Sequence, residues 1–203
     1  MDQSVLDAIE RWPNVPAVYG WLSLSRRGQW RLHPSGTASD GGFGESIQNQ
    51  QILSFMDRNY ASDNMGQWFF QNGPQRVFVR LDAAPLIVSV TGQPSQLMTH
   101  NGLPVQNIHR WIIDASGNLF LSCEHGAGCI LDQDLELVMG ALQTDDGTPL
   151  LEWWDQNAET VASTIVIFND SASFSVAGRA TLELLGPSQS ASQALGFVTN
   201  PTP

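Results

Sequence analysis

The chain has 203 residues, 42% of them hydrophobic and only 14% charged, and its 9 basic residues against 20 acidic ones give a formal net charge of −11. That balance argues against the phosphate neutralisation a nucleic-acid binder needs and against adhesion to an anionic membrane surface. No stretch approaches the ~20 apolar residues of a membrane-spanning helix. The first residues lack the basic and apolar regions of a secretory leader. Cys123 and Cys129 make no disulfide framework, so the expected setting is a reducing cytoplasm.

Val5, Leu6, Ile9 and Trp12 recur at helical spacing, which predicts a short amphipathic helix over 2–12, stopped by Pro13 and Pro16. Trp21-Leu22-Ser23-Leu24 alternates, Arg26-Arg27-Gly28 turns, and Trp30-Arg31-Leu32 returns, the pattern of a hairpin. A polar, glycine-rich loop follows over 34–44. Ile47, Ile52, Phe55 and Met56 predict a helix over about 45–58. Trp68-Phe69-Phe70 leads through Gln71-Asn72-Gly73-Pro74 into an alternating strand, Arg76 to Leu81. After the turn at Asp82 to Pro85, Leu86 to Val90 reads as a buried strand, and a short strand pair flanks Asn101-Gly102.

The first pattern then returns. Trp111-Ile112-Ile113-Asp114, the turn Ala115 to Asn118, and Leu119-Phe120-Leu121 form a second hairpin. A loop over Glu124 to Gly128 leads to a helix starting near Asp132, with Leu135, Val138, Met139 and Leu142 as its apolar stripe. Superposing Gly28 on Gly117 places Leu22 on Trp111, Leu24 on Ile113, Trp30 on Leu119 and Leu32 on Leu121, so every inward position meets an apolar one. Trp68-Phe69-Phe70 and Trp153-Trp154 follow the two helices in a looser match. In the last third, Thr164 to Phe168 is a strand, Asn169-Asp170-Ser171 turns, and Phe174-Ser175-Val176 pairs back. Thr181 to Leu185 is a strand or short helix. From Gly186 the composition is that of a loosely held tail.

The fold class expected is α+β: mainly antiparallel sheets with a few packed helices, as two related hairpin-plus-helix units. The expected divisions are 1–92, 93–185 and a tail over 186–203.

Candidate chemistry is sparse. Cys123, His125 and Cys129 lie within seven residues, and soft sulfur with imidazole suits zinc, with His100, His109 or Asp132 as a fourth ligand. The spacing matches no standard knuckle, and a small buried cysteine at each strand end explains it as well. A Cys123 or Cys129 nucleophile with His125 as base lacks any family signature. Asp132/Asp134 and Asp145/Asp146 fit capping and turn chemistry. Gly41-Gly42-Phe43-Gly44 precedes a helix without the lysine of a phosphate-binding loop, and an acidic protein is a poor general host for phosphate. No catalytic residue and no cofactor is assigned. The 7 tryptophans are the unusual feature: core residues, or an exposed patch for a partner, with Trp153 and Trp154 the candidates because an extended pair points to opposite faces.

Gly66 to Val79, Asp114 to Leu119 with Leu131 to Leu135, Trp12 to Pro16 and Tyr19 to Leu22 together resemble an uncharacterised bacterial family known only as a domain of unknown function. The resemblance covers roughly residues 1–145, implies a bacterial cytoplasmic setting, and brings no activity, ligand or catalytic residue. The leading expectation is a non-enzymatic interaction or accessory protein that binds a protein partner or itself. The alternative is a small-molecule-binding protein or enzyme with a pocket between the two units.

Overall fold

The computed structural model describes residues 1–157, 162–169 and 179–203. The turn and returning strand expected over 170–176 lie outside them. Two compact units emerge: Met1–Pro85 with Gly196–Pro203, and Leu86–Leu195.

Unit 1 opens with helix α1 (Gln3–Arg11), whose Val5 is buried. Strands β1 (Val18–Leu24), β2 (Trp30–Leu32) and β3 (Glu45–Ser46) precede helix α2 (Gln50–Arg58). Strands β4 (Tyr60–Ser62), β5 (Trp68–Asn72) and β6 (Gln75–Leu81) complete one sheet in the order β3-β2-β1-β6-β5-β4. The second helix starts later than the apolar spacing predicts. The Asn49 side chain caps it by accepting from the Gln51 and Ile52 N–H groups, while Glu45 and Ser46 pair with β2 instead. Leu22, Leu24, Trp30, Met56 and Phe70 are buried, and Phe55 meets Phe70 edge to face.

Residues 186–203, tail-like in composition, carry helix α5 (Ala191–Leu195) and then a segment belonging to unit 1. There Phe197 is buried, Val198 N–H donates to Gly66 O at 2.9 Å, and Leu81 N–H donates to Thr199 O at 2.8 Å.

Unit 2 begins with β7 (Leu86–Val90), β8 (Leu97–Thr99) and β9 (Pro104–Val105). It continues with β10 (Ile108–Ile113), β11 (Leu119–Cys123), β12 (Gly126–Ile130), helix α3 (Leu135–Ala141), β13 (Leu142–Thr144), helix α4 (Leu150–Asn157), β14 (Ser163–Phe168) and β15 (Ala180–Leu184). The sheet order is β13-β14-β15-β10-β11-β12-β7-β8-β9. Six of these strands, β12-β11-β10-β15-β14-β13, follow the same path as the six of unit 1: a hairpin, a third antiparallel strand, a helix, then three antiparallel strands whose last runs parallel beside the first. The hairpin rungs correspond as well. Leu22 pairs with Leu32 and Leu24 with Trp30, while Trp111 pairs with Leu121 and Ile113 with Leu119.

The α+β class holds and most strand pairs are antiparallel, but both sheets are mixed, because β1–β6, β10–β15 and β12–β7 are parallel pairs. Such pairs join distant segments and leave no local turn signal. The stretch Gly126–Ile130 is a strand, not a loop. A Cβ on Gly128 would sit 3.0 Å from Val88 Cγ2, so glycine there serves close approach of β7 rather than a turn. Trp153 and Trp154 lie on α4, not on a strand.

Candidate functional site

Period-two alternation puts Leu22, Leu24 and Trp30 on one face of the unit 1 sheet and their neighbours on the other. On that second face Ser23 pairs across β2 with Arg31, and across the parallel ladder with Arg80. The hairpin turn beside them is held by Ser25, whose Oγ accepts from the N–H groups of Arg27 at 3.3 Å and Gln29 at 3.0 Å. That leaves the Ser25 hydroxyl proton for another acceptor. Gly28 takes φ +72, which the turn requires.

The loop over 34–44 returns to the same place. Arg80 Nη1 donates to Ala38 O at 2.9 Å and Nη2 to Gly42 O at 3.2 Å, and Arg31 Nη1 donates to Phe43 O at 2.9 Å. Asp82 pairs with Arg80 at 2.8 Å. Between hairpin turn and loop lies a pocket of about 480 Å³ lined by Ser25, Arg26, Arg27, Arg31, Gly41, Phe43, Arg80 and Asp82. All nine basic residues of the protein are arginines, and four of them line this pocket with the Asp82 carboxylate beside them. Net charge averages over the whole surface, which is why the acidic balance hides this local concentration.

Arg31 Nε and Arg80 Nε are buried and have no hydrogen-bond partner among the described residues. A buried donor left unmade costs about 1–3 kcal/mol. Behind them the buried His33 has its Nε2 2.9 Å from Ser23 Oγ. Burial lowers the His33 pKa, the Arg80 and Arg31 guanidiniums lower it further, and Asp82 opposes them.

Unit 2 does not repeat this chemistry. On the matched rungs Ser23 corresponds to Ile112, Arg31 to Phe120 and Arg80 to Glu183. Ile112 and Phe120 are buried, and Glu183 is closed by Arg110, which donates from both Nε and Nη2 and uses Nη1 for Ala194 O at 3.0 Å.

The cysteine and histidine cluster does not assemble. Cys129 pairs with Phe120, three positions from Cys123 on the neighbouring strand, so alternation sends the two thiols to opposite faces. Cys123 Sγ donates to Gly126 O at 3.3 Å, and burial pushes its pKa up, which opposes a nucleophile. His125 Nε2 contacts Pro104 O at 2.9 Å. His100 Nδ1 faces Ile87 N–H, and Asp132 accepts from Gln133 N–H; His109 is exposed. Among the described residues no group of three or more His, Cys, Asp or Glu side chains is placed to hold a metal ion. Trp153 and Trp154 are half-buried, with the Trp154 ring against Gly117, whereas Trp12 and Trp21 are 51% and 43% exposed. No described helix is long and apolar enough to cross a membrane.

A mixed-sheet α+β protein with an arginine-lined pocket is the class these observations define. The chain belongs to a family of unknown function: the DUF2944 family model, described as "Protein of unknown function (DUF2946)", matches residues 1–202. Two solved structures are similar to it. One is a DUF1285 family protein from Silicibacter pomeroyi DSS-3, 19% identical, covering 68% of this chain and 78% of that one with a TM-score of 0.47. The other is a DUF1285 family protein from Shewanella baltica OS155, 16% identical, covering 56% of this chain and 86% of that one with a TM-score of 0.40. No curated protein matches.

Proposed function

We propose that this protein binds a small anionic molecule, bearing a phosphate or carboxylate, in the arginine pocket of unit 1. The observation that carries the reading is a pocket lined by four of the nine arginines, with Ser25 at its wall. A bound oxyanion would accept from the Ser25 hydroxyl and meet guanidiniums whose planar forks suit phosphate and carboxylate. The pocket volume of about 480 Å³ lies within the range of small-molecule sites.

The lining supports binding rather than turnover. Ser25 Oγ already accepts two backbone N–H groups, and among the described residues no histidine lines the pocket to activate it. The protein is then an accessory, ligand-responsive one. Isothermal titration calorimetry of the full chain with inorganic phosphate and with acetate at low ionic strength tests this. Saturable binding of at least one anion, weakened tenfold or more in Arg31→Gln with an unchanged circular dichroism spectrum, is the expected outcome. Absence of saturable heat with both anions would overturn the proposal.

A further inference from the structure

We infer that unit 1 holds a second binding site, on the Leu22 face of its sheet, for a small uncharged molecule that carries a flat aromatic ring. Leu22 pairs with Leu32 on one side and Val79 on the other, and Phe70 pairs with Val77, two residues from Val79, so these side chains share one face. Two adjoining pockets of about 370 Å³ each lie there, and Leu22, Leu32 and Phe70 line both. Trp21 and Val77 belong to one, and Ile52 and Met56 of α2 to the other. Each volume falls within the range of small-molecule sites. Trp21, Leu32 and Ile52 are exposed, so large apolar side chains stand in water here, and a bound ring would cover them.

Unit 2 indicates what fits there. On the matched hairpin rungs Leu22 corresponds to Trp111 and Leu32 to Leu121. Phe70, opposite the first residue of β4, corresponds to Phe168, opposite the first residue of β13. In unit 2 Trp111 is buried and meets Phe168 edge to face, with ring centroids 6.1 Å apart. In unit 1 a leucine stands in place of that tryptophan, and the pockets open beside it. A ligand that supplies a ring against Phe70 would restore the contact that unit 2 makes within its own chain. Charge selects among such ligands. Among the described residues no charged side chain lines the Trp21 pocket, whose polar side chains are the amides of Asn72 and Gln75. On the α2 side Glu45 repels anions. An uncharged ring needs no counter-charge, and an amide can meet a single polar atom on it. This site is therefore independent of the arginine pocket in its residues and its ligand.

An NMR titration of the full chain with indole, the ring system of the Trp111 side chain, tests the inference. Saturable ¹H–¹⁵N shifts should concentrate at residues 18–22, 32, 52–56 and 70–77. Leu22→Trp copies unit 2 and should weaken indole binding about tenfold or more, because the place of the ligand ring is then filled. Phenol and cyclohexanol share size and a hydroxyl and differ in the aromatic ring, and phenol should bind the wild-type chain several-fold tighter. Absence of saturable shifts at those residues, undiminished indole binding in a folded Leu22→Trp variant, or equal affinity for phenol and cyclohexanol overturns the inference. Should Leu22→Trp fail to fold, the wild-type comparison of phenol with cyclohexanol decides alone. Self-association of the chain that indole reverses would mean that a ring of a second copy fills the pocket, and it would overturn the free-ligand inference.

Discussion

Burial of the His100 ring in unit 2 holds its pKa at about 4, below the ordinary 6.5, and its Nδ1 lies 3.3 Å from the Ile87 N–H that donates to it. The neutral ring therefore carries its proton on Nε2. Because the folded pKa is depressed, the unfolded chain binds a proton that the folded chain refuses between these two values. The stability associated with a neutral His100 is fully present above pH 6.5 and drains away as pH falls toward 4, by up to about 3 kcal/mol. Urea midpoints measured across that window should fall with pH, and His100→Gln should flatten the slope. An unchanged slope in the variant would show that other groups set it. His33 in unit 1 has the same direction of shift for a different mixture of causes, burial first and then two guanidiniums. An anion beside Arg31 and Arg80 would screen those charges and raise the His33 pKa, which makes that ring a reporter of the pocket.

At the scale of elements, the segment 196–203 shows how one glycine positions a stretch of chain. Gly66 takes φ +76, and a Cβ there would sit 2.3 Å from Gly196 O. Gly66→Ala is therefore both conformationally strained and sterically blocked, and it should cost more than about 2 kcal/mol. Amide exchange should show the pairing of Val198 with Gly66 lost first, and a variant with unchanged stability and protection would contradict this packing. Composition reads 186–203 as a tail because its Ser, Gln and Pro content hides the buried Phe197. The hairpins were legible because their turns are local and their alternation is strict, down to the rungs Leu22–Leu32 and Trp111–Leu121. Strands β4 and β13 escaped notice because three residues are too few for a period to register. The Trp153-Trp154 pair reads as extended in the sequence, whereas it lies within the Leu150–Asn157 helix.

At the scale of the whole molecule, the same six-strand path occurs once in each unit, and chemistry distinguishes them. Where unit 2 closes the face with Ile112, Phe120 and a satisfied Arg110–Glu183 pair, unit 1 gathers Ser23, Arg31, Arg80 and His33. This site was out of reach of the sequence for a physical reason. Arg26, Arg27 and Arg31 are local to one hairpin, but Arg80 joins them only through the parallel β1–β6 ladder, which no turn announces. The repeat accounts for how each core is built, and the differences at matched rungs carry the proposed function.

The most direct test is a two-dimensional ¹H–¹⁵N NMR titration of the full chain with inorganic phosphate. Saturable shifts should concentrate at residues 25–31, 38–43 and 80–82, with the His33 ring signals moving toward the protonated form. Absence of saturable shifts, or shifts confined to residues outside that pocket, would contradict the account.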